Sequence, residues 1–218
     1  MLAGEAVVAI WNGITEEGRA EFYAWHIHEH MPERVGIPGF RRGRRYIAAD
    51  ATTFPEFFTL YETDTMQVLQ GQDYSNRLNA PTPWTRSATS HFRDTFRSLA
   101  RVLESRGPGM GGAILTVRYD IEEPEALLPV IRAAAEAPRV TGAHLCVADR
   151  TASGVKTAEA QGRTDIGEPP AQFLMIEATD AAALADLAPD DALLAAGATQ
   201  ISRGTYILEY TRTKTAWE

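Results

Sequence analysis

The sequence predicts an α+β chain of two βαββαβ modules whose sheets close on one another as an α+β barrel. Three observations predict this. Strand-like and helix-like segments run in the order β-α-β-β-α-β, and the order then repeats. The two leading strands begin about half a chain apart, on either side of a Gly107-Pro108-Gly109 linker. A sheet with helices on one face leaves an apolar face over, and a second such sheet can cover it. A chain of 218 residues carrying both modules, 1–106 and 107–218, supplies its own partner as a tandem pseudo-dimer.

Each element has a local cause. Residues 5–14, EAVVAIWNGI, are apolar and β-branched and read as the first strand. Thr15 offers a capping oxygen and Glu16 and Glu17 suit a helix N-terminus, so a helix is expected from there to about Met31. Pro32 is expected to stop it, because proline disfavours helical geometry in the residue before it. Strands follow over 43–49 and 56–63, then a helix from about Thr65 to Leu78, broken by Pro81 and Pro83. Residues 93–104 have helical spacing, yet the repeat demands a strand there. The second module reads as a strand at 112–119, an alanine-rich helix at 122–137 and strands at 143–149 and 171–178. A helix at 180–196, interrupted near Pro189, and a strand at 204–212 complete it. Residues 150–169 are polar and glycine-containing, and read as a mobile decoration or, alternatively, as a lid over a site.

Composition removes several function classes. The chain carries 21 Lys+Arg against 29 Asp+Glu, a net charge of −8, which argues against a nucleic-acid backbone as partner. Its single cysteine, Cys146, excludes an internal disulfide framework and reads as an inert core residue. No stretch approaches the roughly 20 apolar residues of a spanning helix, so the expectation is a cytoplasmic protein without a membrane partner. Neither a nucleophile elbow nor a phosphate-binding glycine loop is present in the sequence.

Chemistry concentrates in the first half. Four of the five histidines lie there, His26, His28, His30 and His91, with Trp11, Trp25 and Trp84. At about 100° per residue, Tyr23, His26, Ile27 and His30 share one helix face, and His28 points elsewhere. Two histidines at i and i+4 can begin a zinc site, but no third ligand is identifiable; no metal and no cofactor are expected. Acid–base work suits His30 better, with Tyr23 and His26 as companions, against the plainer reading of a satisfied core histidine. Arg34 has a planar fork suited to an anionic group or to a salt bridge with Glu33 or a neighbouring carboxylate. The run Arg41-Arg42-Gly43-Arg44-Arg45 reads mainly as a solvated strand edge with one arginine turned inward, Arg42 and Arg44 facing one way and Arg41, Gly43 and Arg45 the other.

The stretch WHIHEHMPERVGIPGFRRGRRY, Trp25 to Tyr46, resembles the signature of EthD-like proteins of the dimeric α+β barrel (ferredoxin-like) superfamily. Its parts are an aromatic, His-x-Pro-x-Arg, Pro-Gly-Phe and Arg-Arg-Tyr. FFTLYE at 57–62 looks like the strand that follows, and residues 79–85 with His91-Phe92-Arg93 are similar to a further segment of such proteins. The likeness covers most of 5–105; the second half lacks the His-x-Pro signature. The superfamily includes cofactor-free monooxygenases, lactone isomerases, cyclases, decarboxylases and haem peroxidases. The resemblance implies His30 as the family-type histidine, and Trp25, Arg34, Tyr46, Tyr61 and Trp84 as pocket neighbours; Trp11 and His91 complete the candidate substrate-binding set. The expected function is a lyase, isomerase or cyclase acting on a small hydrophobic, aromatic or polyketide-like molecule. The alternatives are a cofactor-independent monooxygenase, a haem-binding protein and a non-catalytic ligand-binding protein. His30 is expected to look into an apolar chamber between the two modules, in a barrel formed by one chain and open to further homo-oligomerisation.

Overall fold

The computed structural model describes residues 1–161 and 165–215. Eight antiparallel strands form one closed barrel: β1 (Ala6–Ile14), β2 (Phe40–Ala48), β3 (Phe57–Thr63), β4 (Phe92–Arg106), β5 (Ala113–Asp120), β6 (Val140–Ala148), β7 (Gln172–Ala178) and β8 (Thr199–Thr213). Around the barrel they run β1-β3-β2-β8-β5-β7-β6-β4, and β4 returns to β1. The first half supplies the sheet β4-β1-β3-β2 and the second β8-β5-β7-β6, the same order in each. They join where β2 meets β8 and where β4 meets β6. Closure leaves no strand edge unpaired. The expected α+β barrel of two ferredoxin-like modules is therefore what the chain forms, and 93–104 resolves as strand.

Strand alternation divides the core in two. Val7, Ala9 and Trp11 of β1 point into the barrel, where Tyr46, Phe58, Leu60, Ile114, Cys146, Phe173, Met175 and Tyr206 from both halves meet them. Ala6 and Val8 point out, under the helices. A charged network occupies one end of the interior. Arg44 bridges Glu177 (2.6 and 3.0 Å) and Glu62 (2.9 Å), and Nε2 of His144 lies 3.3 Å from Glu177. All four side chains are fully buried, and they come from β2, β3, β6 and β7. Burial alone would raise the Glu177 carboxyl; the His144 contact and the Arg44 guanidinium outweigh it and bring it down to about 2.

This interior corrects two expectations. The space between the sheets is filled by these side chains, so His30 does not look into it. The arginine run is no strand edge either: β2 is paired on both sides, Arg44 and Arg42 turn into the barrel, and Arg45 is buried on the outer face. The alternation was read correctly; the closure that buries both faces was not.

The helices lie outside. The first is α1 (Arg19–Trp25), entered through Gly18 rather than Thr15. It passes into one wide π turn, His26–His30, and continues as α2 (Met31–Gly36). Pro32 thus fails to end it. The Met31 N–H reaches back five residues to the His26 carbonyl, and the widened turn accommodates a residue that has no N–H. The single helix expected over 65–78 is split at Gly71 into α3 (Met66–Gln70) and α4 (Gln72–Asn79). Pro83 opens α5 (Pro83–Ser90) instead of merely breaking a helix, with Thr82 capping it through the Thr85 N–H. In the second half α6 (Leu128–Ala135), a short α7 (Arg150–Ser153) and α8 (Asp190–Ala195) complete the layer. No described helix is long and apolar enough to cross a membrane.

The segment expected as mobile decoration is packed. After α7, the Glu159 N–H donates to the Leu78 carbonyl (3.0 Å) and the Ala158 N–H to the Asn79 side chain (3.1 Å). Further on, Ile166 bridges to Thr95 of β4. Residues 162–164 of that stretch lie outside the described residues. The second half thereby reaches over the helices of the first.

Candidate functional site

A small closed chamber of about 30 Å³ lies between the outer face of the first-half sheet and the helices α1, α2 and α4. Asn12, Thr59, Tyr61 and Arg97 rise from the strands; Phe22, Trp25, His26, His30 and Arg34 descend from the helix; Tyr74 and Leu78 come from α4 and Glu159 from the overlying segment. The π turn sets the histidines. It stacks His26 on His30, with ring centres 5.4 Å apart and planes inclined by 20°. Trp25 stands 4.2 Å from His30, and Tyr61 stands 6.2 Å away on the sheet side. His28 is exposed, as helical spacing requires.

Neighbouring elements hold this arrangement. Glu29 accepts from the Trp25 indole (3.2 Å) and from the Thr82 and Thr85 hydroxyls (2.6 and 2.9 Å). The proline-threonine segment before α5 therefore fixes the tryptophan beside His30. Gly43 lets the sheet come close: a Cβ there would lie 2.5 Å from the Met31 sulfur and 2.9 Å from the Tyr61 ring. Asn12 sits at a bulge in β1 opposite β4, a device that re-aims side chains beside functional sites.

Electrostatics divide the labour of the two imidazoles. Arg45 places Nη1 3.3 Å from Nδ1 of His26. A guanidinium only donates, so Nδ1 accepts and the neutral ring carries its proton on Nε2. Burial, with the charges of Arg45 and Arg34, holds His26 well below the usual imidazole range. His26 is therefore a neutral hydrogen-bond donor at neutral pH. Arg45 itself is anchored by Glu209 (3.0 Å) and lies over the Tyr23 ring (4.6 Å). Burial would lower Arg34, but the Glu159 carboxylate, paired with its Nη2, keeps it above its ordinary value. Glu33 is farther, at 4.0 Å. The Tyr61 hydroxyl is buried in the chamber wall with no hydrogen-bond partner among the described residues, and burial raises it above the ordinary phenol range.

The structure brings together His26, His30, Trp25, Arg34 and Tyr61. It does not bring the others. Tyr23 leans outward and donates to Glu209 (3.2 Å). Trp11 and Tyr46 point into the barrel, the Trp11 indole donating to Thr116 (3.0 Å). Trp84 packs on the α1–α5 cluster. His91 sits under Gly18 with Nδ1 3.0 Å from the Thr15 hydroxyl. Sequence reasoning missed Asn12, Thr59, Tyr74, Arg97 and Glu159. Asn12, a polar residue within an apolar strand, carried a readable signal; Glu159 carried none. Among the described residues, no group of three or more His, Cys, Asp or Glu is placed to hold a metal ion.

Solved structures share the fold along the whole chain. An anthrone oxidase-like protein superposes with a TM-score of 0.61 at 12% identity, covering 95% of this chain and 92% of its own. A candidate monooxygenase from Lactobacillus acidophilus NCFM gives 0.56 at 9% identity, covering 96% of each. One from Fusobacterium nucleatum gives 0.55 at 7% identity, covering 98% and 96%. At such identities the likeness fixes the fold, not the reaction. No family model and no curated protein sequence matches the chain.

Proposed function

We propose that the chamber is an acid–base site for a small apolar molecule with an enolisable or phenolic group, His30 being the base. One observation carries this reading: one chamber holds an imidazole beside a second, neutral imidazole with Nε2–H, a tyrosine hydroxyl with no hydrogen-bond partner among the described residues, and a guanidinium. His30 would take a proton from carbon beside a carbonyl. The charge then develops on the carbonyl oxygen, where the Tyr61 hydroxyl and the His26 N–H donate to it. Phe22 and Trp25 supply apolar walls, and Arg34 orients an anionic substituent. Elimination, cyclisation, isomerisation and decarboxylation all run through such an anion.

The oxygen-using alternative shares this first step. The carbanion attacks O2, and loss of water from the hydroperoxide converts the CH2 to C=O. The fold neighbours named anthrone oxidase-like and monooxygenase support that branch. Haem is less well supported. His30 is enclosed by Trp25 and His26, and His91 lies outside the chamber. The EthD-like kinship, and modules at 1–106 and 107–218 as its units, belong to the same reading and rest on the motif residues and the repeated strand order.

The test is deuterium incorporation from D2O into a panel of enolisable aromatic ketones, anthrone among them, with an oxygen electrode alongside. Exchange by the parent and its loss in His30→Ala are expected, and oxygen uptake selects the second branch. Equal exchange in both proteins removes His30 as base.

A further inference from the structure

The Arg34 guanidinium is buried, and the carboxylate that pairs with it comes from 125 residues away, on a segment of the other half. Glu159 lies where two spaces meet. It lines the chamber, and it also lines an adjoining cavity of about 200 Å³ bounded by Leu78, Arg97, Val155, Thr157 and Ile166. A second cavity of about 290 Å³, lined by Leu69, Tyr74, Leu78, Leu99 and Val155, shares Leu78 and Arg97 with both. Arg97 donates to the Tyr74 hydroxyl (2.7 Å), and no carboxylate among the described residues pairs with it. The wall common to the three spaces is therefore cationic, and the carboxylate inside it belongs to the overlying segment.

We propose that Arg34 is the recognition site for the carboxylate of an apolar acid, and that Glu159 occupies it in the closed state as an internal stand-in. This rests on reading the chamber as a small-molecule site. A planar guanidinium fork matches a carboxylate in geometry and charge. When the ligand's carboxylate replaces that of Glu159, the partition between the chamber and the 200 Å³ cavity opens. The ligand's apolar body then lies against Leu78 and Val155. The exchange is isoelectric at Arg34, so the buried cation is never left unpaired, which would be costly. A neutral molecule has nothing to offer Arg34 and leaves Glu159 in place. The segment that holds Glu159 is tied to α4 by the Glu159–Leu78 and Ala158–Asn79 hydrogen bonds, which break without disturbing the sheet.

Benzoate and its neutral isostere benzamide test this by titration calorimetry on the full chain, parent against Glu159→Gln. Benzoate is expected to bind at least tenfold tighter to Glu159→Gln than to the parent, while benzamide changes less than twofold. The double variant Glu159→Gln with Arg34→Gln, which leaves no unpaired charge, is expected to lose the benzoate gain. In the parent, benzoate should speed hydrogen exchange at the Glu159 amide. An unchanged benzoate affinity, an equal gain for benzamide, or a gain that survives the double variant overturns the proposal. If the double variant does not fold, the two Glu159→Gln isotherms decide. No turnover is read, so the outcomes separate: a chain that gains benzoate binding yet exchanges no ketone proton keeps the anion site and loses the acid–base reading.

Discussion

The two halves of the barrel use the same strand order for opposite purposes. Between helices and sheet, the second half holds Leu115, Val117, Leu127, Ile131, Leu174 and Ile176, an aliphatic fill. The corresponding layer of the first half holds His26, His30, Arg34, Arg45, Thr59 and Tyr61 beside its aromatics. The difference teaches where a fold keeps its stability and where it keeps its chemistry. Aliphatic packing needs no partners. Buried polar groups need them, and several in the first half have drawn in supporting elements: Thr82 and Thr85 around Glu29, Glu209 from β8 on Arg45, Glu159 from the overlying segment on Arg34. The wide turn at 26–30 has no counterpart among the described helices of the second half.

Four substitutions break or sharpen that contrast. The largest effect is expected from His30→Ala, which should slow turnover by about 10²–10⁴ while shifting the melting temperature little. Steady-state kinetics alongside a thermal melt give both readouts. Next comes Arg44→Met, which removes the cation shared by Glu62 and Glu177 inside the barrel where the halves join, leaving Glu62 to Arg42 and Glu177 to His144. A loss of about 3–5 kcal/mol in denaturant unfolding is expected, and the contrast would blur because both halves weaken together. Ile131→Ala in the second half should cost about 2–5 kcal/mol and leave the turnover of the folded protein unchanged. A drop in turnover there would show the halves to be coupled.

The smallest effect is in pH. The folded His26 titrates well below 6.5, so the unfolded chain binds a proton first as pH falls. Its contribution is complete above about 6.5 and is lost below, by at most about 1.4 kcal/mol per pH unit. His144, lowered chiefly by burial, adds to the same window. Glu177, down at about 2 from 4.5, contributes fully above 4.5 and loses its share only toward pH 2. His26→Gln should therefore flatten the stability profile just below pH 6.5 and leave the acid limb in place.

Much of this was readable from the residues. The apolar, β-branched run EAVVAIWNGI and the alternation in EFFTLYET located β1 and β3, and the repeated order located the strands of the second half. The His-Trp cluster pointed to the helix that lines the chamber, where Trp25, His26 and His30 meet Arg34 and Tyr61. What misled was local: Pro32 reads as a stop unless the turn before it is wide, and that width shows only once the helix has docked on the sheet. Tyr46 was placed with the pocket by the family resemblance and Trp11 as one of the first half's tryptophans; both fill the barrel interior instead, because alternation does not tell which face closure will cover.

By itself the sequence determined the order of elements, the repeat of that order and the crowding of imidazoles, indoles and arginines into one half. Those are properties of neighbours in the chain, set by side-chain period and turn chemistry. The tertiary structure alone decided that the space between the sheets is filled, that His26 and His30 lie on the outer face, and that Glu159 pairs with Arg34. These depend on strand closure and on contacts between residues more than a hundred positions apart, and such contacts impose no pattern on the local sequence from which they could be read.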